Sequence, residues 1–191
     1  MKTEILKETE NWVCSAMAEN DPAHDPAHVR RVVALTRQLC AAYPQADAAK
    51  AELLAWLHDM NDDKLSSNCG LAAVEAFLRE ADAAAEDIAF VLQGIPYISY
   101  RKHPKLDESI PLEIRIVQDA DRIDAMGAIG IARTFAYGGA KGRSLDDSLQ
   151  HFDEKLLLLY DLLSTDAAKE IAKPRYEFLK SFYGQFKKEQ I

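Results

Sequence analysis

The segment PLEIRIVQDADRIDAMGAIGIARTFAYGG (Pro111–Gly139) decides the fold. Within it Ile114, Val117 and Asp121 fall at i, i+3 and i+7, which places them on one face of a helix. No alternation of apolar and polar residues competes with that period. The reading predicts one long helix that starts at Pro111, passes Asp124 and runs towards Gly138-Gly139. Asp121 therefore puts a carboxylate on an apolar stripe. Asp119, two residues earlier, points well off that face, whereas Asp124, three residues later, stays near it. Both read most simply as helix-surface acids or salt-bridge partners, with Asp124 also a candidate for a place just behind the site. The pair Gly127 and Gly130, three apart, reads as room for close helix packing.

The same period extends in both directions. A first helix is expected over about Thr3–Glu19, burying Ile5, Leu6, Val13 and Met17. Asp25-Pro26 reads as an N-cap followed by proline in the first helical position. The helix it opens carries His28, Val32, Leu35 and Leu39 on one face. A third helix spans roughly Asp47–Met60 and ends at His58-Asp59; a fourth begins after Ser66 or Ser67, and a fifth covers about Ala83–Gly94. The least helical stretch is Ile95–Ile110. Towards the C-terminus, Ser144 and Asp147 resemble a capping box. Helices follow over roughly Leu145–Leu163 and Asp166–Glu189, the last expected to break or kink at Pro174. With no repeat, low-complexity tract or dividing linker, the chain is expected to be a single all-α domain over residues 1–191.

Composition narrows the function. Apolar residues make up 48% of the 191 and charged residues 28%, enough of each for a core and a polar surface, which excludes a disordered chain. A net charge of −8 disfavours binding to nucleic acid polymers, which needs cations to replace counterions. The start, MKTEILKETE, has acids where a signal peptide has its apolar stretch, and apolar runs such as Leu156–Leu159 are only a few residues long. The three cysteines, Cys14, Cys40 and Cys69, form no CxxC pair. A cytoplasmic, reduced protein with no membrane partner is expected.

Of five histidines (His24, His28, His58, His103, His151), His28 and His58 fall on or beside apolar helical faces, as do Asp59 and Asp121. A buried carboxylate requires a cation or a hydrogen-bond network. Two imidazoles and two carboxylates suit a borderline divalent ion. Equally, a histidine at a helix end is satisfied by the helix dipole and an aspartate pairs with arginine, so spacing alone leaves both readings open.

The segments Asp25-Pro26-Ala27-His28-Val29-Arg30-Arg31-Val32, Leu57-His58-Asp59 and Gln118-Asp119-Ala120-Asp121-Arg122-Ile123-Asp124 resemble the H…HD…D signature of the HD superfamily of metal-dependent phosphohydrolases. Ile116–Gly139, His151–Leu163 and Thr165–Phe182 are similar to one branch of small single-domain bacterial members, so the resemblance runs from His24 to about Phe182. It implies that His28, His58, Asp59 and Asp121 hold one divalent metal: Mn ahead of Fe, Co or Ni, with Mg less suited to two imidazoles. Such a centre activates water and polarises a phosphoryl group. Members with two metals carry additional histidines; here His103 alone stands between the HD pair and Asp121, and no histidine stands at Ile98-Ser99, where related members carry one. A mononuclear centre is implied.

Asp62 and Asp63, four and five residues after His58, occupy the place where the (p)ppGpp hydrolases of this superfamily carry an acidic pair that orients or deprotonates water; a solvated polar turn is the other reading. Lys64, Arg122, Lys141, Arg143 and Lys155 are candidate phosphate contacts, with Lys64 and Arg143 preferred, and each could instead form a surface ion pair. Arg133 reads as a helix anchor. His24 and His151 are candidates for substrate contact or for support of the ligands. The expected substrate is a small phosphorylated metabolite, a nucleotide, with hydrolysis of a nucleoside triphosphate to monophosphate and pyrophosphate favoured. The alternatives are a nucleotide phosphomonoesterase, a non-catalytic nucleotide-sensing module and a plain helical interaction domain. The apolar C-terminal helices either complete the core or dock a second copy as a homodimer.

Overall fold

A computed structural model describes residues 3–17, 25–61, 70–98 and 106–190. Among the described residues there are nine α-helices and two short 3-10 turns, and no strand. In chain order they are α1 (Thr3–Ala16), α2 (Pro26–Cys40), α3 (Ala48–Leu57), α4 (Gly70–Glu80), α5 (Ala85–Ile98), α6 (Leu112–Asp124), α7 (Gly127–Ala140), α8 (Leu145–Glu154), the turns Leu156–Leu158 and Tyr160–Leu162, and α9 (Asp166–Glu189). The all-α reading holds.

Two helices are interior, and α3 has almost no apolar-to-polar gradient. In α3, Leu53, Leu54 and Leu57 are all fully buried, each worth roughly 1.5–3 kcal/mol relative to an exposed side chain. In α6 the buried set, from Ile114 and Ile116 through Asp119 to Asp124, covers the whole circumference. α6 accordingly packs against α2, α3, α5, α7 and α9 and forms the spine of the molecule.

Caps fix where the helices begin. Asp25 accepts the His28 amide at 2.9 Å, with Pro26 in the first helical position as expected. The capping box at Ser144 and Asp147 is complete in both directions.

The expected long helix from Pro111 to Gly139 is two helices. α6 ends at Asp124, Met126 turns extended (φ −103°, ψ 166°), and Gly127, the first residue of α7, adopts φ +71°. That left-handed conformation is open to glycine. Gly130 then lets α7 close on the end of α6: a Cβ there would sit 2.0 Å from the Ala125 carbonyl oxygen. The apolar period continues across the break through Ile123, Met126 and Ile131, so hydrophobic spacing alone does not reveal it.

Three further expectations need correction. α5 continues to Ile98 with Pro96 inside it, so Ile95–Ile98 is helical rather than irregular. The stretch Leu145–Leu163 is α8 followed by two 3-10 turns. Pro174 does not break α9, because the carbonyl it deprives of a partner belongs to Glu170, and both residues are exposed to water.

Candidate metal centre

Three helices deliver the cluster. α2 supplies His28 from its first turn, α3 supplies His58 as its C-cap with Asp59 following, and α6 supplies Asp121. His28 Nε2 lies 3.4 Å from Asp59 Oδ2 and 3.4 Å from Asp121 Oδ1, and His58 Nε2 lies 3.3 Å from Asp59 Oδ1. The two imidazoles meet edge to face, 5.4 Å between centroids.

Each imidazole is oriented from behind. His58 Nδ1 donates to the Ala55 carbonyl at 2.7 Å, and His28 Nδ1 donates to Asp124 at 2.8 Å. Both Nε2 atoms therefore face the cluster. His58 Nε2 is buried without a hydrogen-bond partner among the described residues; Asp59 is near but not aligned with it. A buried polar atom left unpaired costs about 1–3 kcal/mol, so its retention points to a ligand. Donors about 2.1 Å from a common octahedral ion stand about 3 Å apart when adjacent. The donor atoms of His28, His58 and Asp59 all lie within 4.8 Å of one another, and Asp121 adjoins them, so these residues fit a divalent cation.

Electrostatics agree with that fit. Burial would lower the His28 imidazole, but the contacts with Asp121, Asp124 and Asp59 outweigh it, and its pKa is pushed up to about 10. Burial would raise Asp121, but His28 and, further out, the Lys155 ammonium hold it below the ordinary carboxylate range. The cluster thus attracts positive charge. Its open side is carboxylate: Asp59 and Asp121 keep 19% and 25% of their side chains exposed, against 4% and 1% for His28 and His58.

Asp124 and Asp119, read as helix-surface acids or salt-bridge partners, are both fully buried; the salt-bridge reading and the place behind the site hold for Asp124, and the surface reading holds for neither. Asp124 accepts His28 Nδ1, Arg31 Nε at 2.6 Å and Nη2 at 3.1 Å, and Arg133 Nη1 at 2.9 Å. Burial would raise its carboxyl; His28 and Arg31 drive it well below the ordinary range. Arg133 anchors α7 to α6, as expected. Asp119 accepts the Ser164 and Thr165 amides, each at 2.9 Å, and the Thr165 hydroxyl at 2.7 Å, and so holds the N-cap of α9; burial nonetheless raises its pKa. Sequence reading gave no role to Arg31, although its place three residues after His28 puts both on one face of α2.

The candidate phosphate contacts divide. Lys155, half-buried at the end of α8, is close enough to Asp121 to act on it, and His151 lies one turn earlier on the same helix. Arg122 is 2% exposed and donates to the Leu162 carbonyl at 2.5 Å, a position that ties α6 to the 3-10 turns in the interior rather than opening to a phosphate. Lys141 and Arg143 are exposed and stand over the Tyr137 ring at 5.5 and 5.3 Å. His24, Asp62, Asp63, Lys64 and His103 lie outside the described residues.

The HD domain family model matches residues 27–126, the span that contains all four clustered residues. YpgQ of Bacillus subtilis is 37% identical over 194 residues, covering 96% of this chain and 94% of that one. The crystal structure of Bacillus subtilis YpgQ in complex with ADP is similar with a TM-score of 0.80 and 34% identity, covering 97% of both chains. An HD-superfamily hydrolase from Bacillus thuringiensis is similar with a TM-score of 0.78 and 38% identity, covering 99% of this chain and 98% of that one. No described helix is long and apolar enough to cross a membrane. With its histidines and carboxylates gathered at the meeting of α2, α3 and α6, the chain belongs to the HD domain family.

Proposed function

We propose that this protein is a metal-dependent phosphohydrolase acting on a small phosphorylated metabolite, a nucleotide, and that it cleaves a nucleoside triphosphate to the monophosphate and pyrophosphate. The observation that carries the reading is the paired imidazoles with both Nε2 atoms turned onto two half-open carboxylates. The similarity to YpgQ, whose structure was solved with ADP, supports a nucleotide ligand.

His28, His58, Asp59 and Asp121 would hold one divalent ion, Mn or another borderline first-row metal. When bound, that ion lowers the pKa of water and polarises a phosphoryl oxygen. Lys155 lies within electrostatic reach of Asp121, where an ammonium would offset phosphate charge, and His151 shares its side of α8. Asp62, with Asp63 beside it, follows His58 closely enough in sequence to take a proton from the attacking water. Lys64, Lys141, Arg143 and His24 complete the set of proposed substrate contacts. Water adds to the α-phosphorus, the bond from that phosphorus to the α–β bridging oxygen breaks, and pyrophosphate leaves with the negative charge.

The deciding experiment gives Mn(II) back to metal-stripped protein, supplies a panel of nucleotides and phosphometabolites, and separates phosphate from pyrophosphate, with Asp59→Ala alongside. Pyrophosphate from a triphosphate class, absent in the variant, is the expected result. Inorganic phosphate as the sole product would identify a phosphomonoesterase. Full turnover by Asp59→Ala would end the metal reading.

A further inference from the structure

The two imidazoles of the cluster are supported unequally. Behind His58 stands a neutral backbone carbonyl, Ala55, at 2.7 Å. Behind His28 stands a full carboxylate, Asp124, at 2.8 Å, and behind that carboxylate stand two guanidinium groups from different helices, Arg31 of α2 and Arg133 of α7. A carboxylate accepting the Nδ1 proton makes the opposite Nε2 a stronger donor. Two arginines on that same carboxylate pull its electron density back and leave the group with one excess positive charge. Asp124 is 1% exposed at its side chain, whereas Arg31 and Arg133 keep 34% and 21%, so water can replace either guanidinium but not the carboxylate.

We propose that Asp124, Arg31 and Arg133 form a charge-setting group behind His28, in which Asp124 strengthens cation binding at the cluster and the two arginines restrain it. This rests on the reading of His28 as a metal ligand. The arginines act through Asp124 and are positioning residues. Their restraint keeps the centre from holding its cation so electron-rich that it no longer polarises a phosphoryl oxygen, while Asp124 keeps the His28 ring in the tautomer that faces the cluster. A purely structural clamp makes a different statement: every member would stabilise the site, and removal of any of them would loosen it.

The sign of the effect separates the two. Removing the Asp124 charge with Asp124→Asn leaves a shape-similar acceptor facing two uncompensated arginines, and affinity for Mn(II) falls by about 10- to 100-fold, the usual cost of losing such a partner. Removing a like charge with Arg31→Gln does the opposite and tightens Mn(II) binding by about threefold or more, the direction that Coulomb repulsion between like charges dictates. A divalent ion that displaces one proton still adds one net positive charge to the cluster, so the sign is the same whether or not His28 carries a proton in the free protein.

The experiment is a titration of the metal-stripped full-length protein and its variants with Mn(II) alone, with free Mn(II) read by electron paramagnetic resonance at one pH and ionic strength. Thermal unfolding of each metal-free protein reports whether it folds. Weaker binding by Asp124→Asn, tighter binding by Arg31→Gln, and partial recovery in the double variant are the expected results. Arg133→Gln repeats the test from the other side of the carboxylate. Folded arginine variants that bind Mn(II) more weakly than wild type, or equally, overturn the inference and leave the metal centre itself standing. Wild-type protein that binds no Mn(II) overturns both.

Discussion

The half of the molecule built from α2, α3 and α6 and the half built from α7, α8 and α9 solve opposite problems. In the first, His28, His58, Asp59, Asp121 and Asp124 crowd together, and one buried imidazole nitrogen is left unpaired among the described residues. In the second, Phe135 stacks on Phe186 and meets Phe152 and Phe182 at centroid distances of 5.8–6.0 Å, within the range of favourable ring pairing. The aromatic half is complete as it stands. The charged half is a cluster that a cation would complete, and that concentration of electrostatic demand is what marks it as the candidate site.

Substitutions on the two sides should therefore fail in different ways. Phe152 is fully buried, and Phe152→Ala is expected to cost about 3–5 kcal/mol in urea unfolding while leaving the Mn(II) affinity of the folded fraction at the wild-type level. Asp59→Ala should do the reverse, abolishing turnover with a far smaller loss in metal-free unfolding, since Asp59 keeps part of its side chain exposed and gives up only its contacts with the two imidazoles. If the two variants proved alike in both assays, the division between the halves would be wrong.

A pH series sharpens the contrast. The pKa of His28 is raised to about 10 in the free protein, so the stability from its contacts with Asp121, Asp124 and Asp59 is fully present below its unfolded value near 6.5 and is lost as pH rises through about 10. Metal must displace that proton. Mn(II) affinity is expected to rise about tenfold per pH unit between about pH 7 and pH 9, with one proton released per ion. Calorimetry in two buffers of different ionisation enthalpy measures the proton directly; no release would place the ion elsewhere.

The smallest expected effect concerns the junction of the halves. Gly130→Ala brings a Cβ against the Ala125 carbonyl and should cost about 1–3 kcal/mol of stability, with the loss appearing first in hydrogen exchange at the end of α6.

Much of this division is legible in the sequence. The helical period, the Asp25 cap and the Ser144–Asp147 box are local signals, and local signals survive into the fold. The gathering of His28, His58, Asp59 and Asp121 came from resemblance rather than spacing, because contacts between residues 28 and 121 leave no periodic trace. The burial of Asp119 and Asp124 is hidden for a related reason, although salt-bridging and a place behind the site are readings the sequence does offer for Asp124. An acid on a helix looks like a surface residue until its partners are known, and here those are Ser164 and Thr165 for one and Arg31 and Arg133 for the other. The break at Gly127 was masked because the apolar stripe continues through it. Nor does Pro174 interrupt α9, since the carbonyl it frees is on an exposed residue.

The hold of Asp119 on the start of α9 has a consequence for how the protein is made. The residues that match the family end at 126, but Asp119 waits for amides 45 and 46 positions further along, and the Ile123 carbonyl waits for Arg175. While the ribosome is still translating that interval, the helix that carries Asp121 has a buried acid without its donors. The motif emerges early, yet the contacts that fasten the helix carrying Asp121 are delivered only by residues 164, 165 and 175.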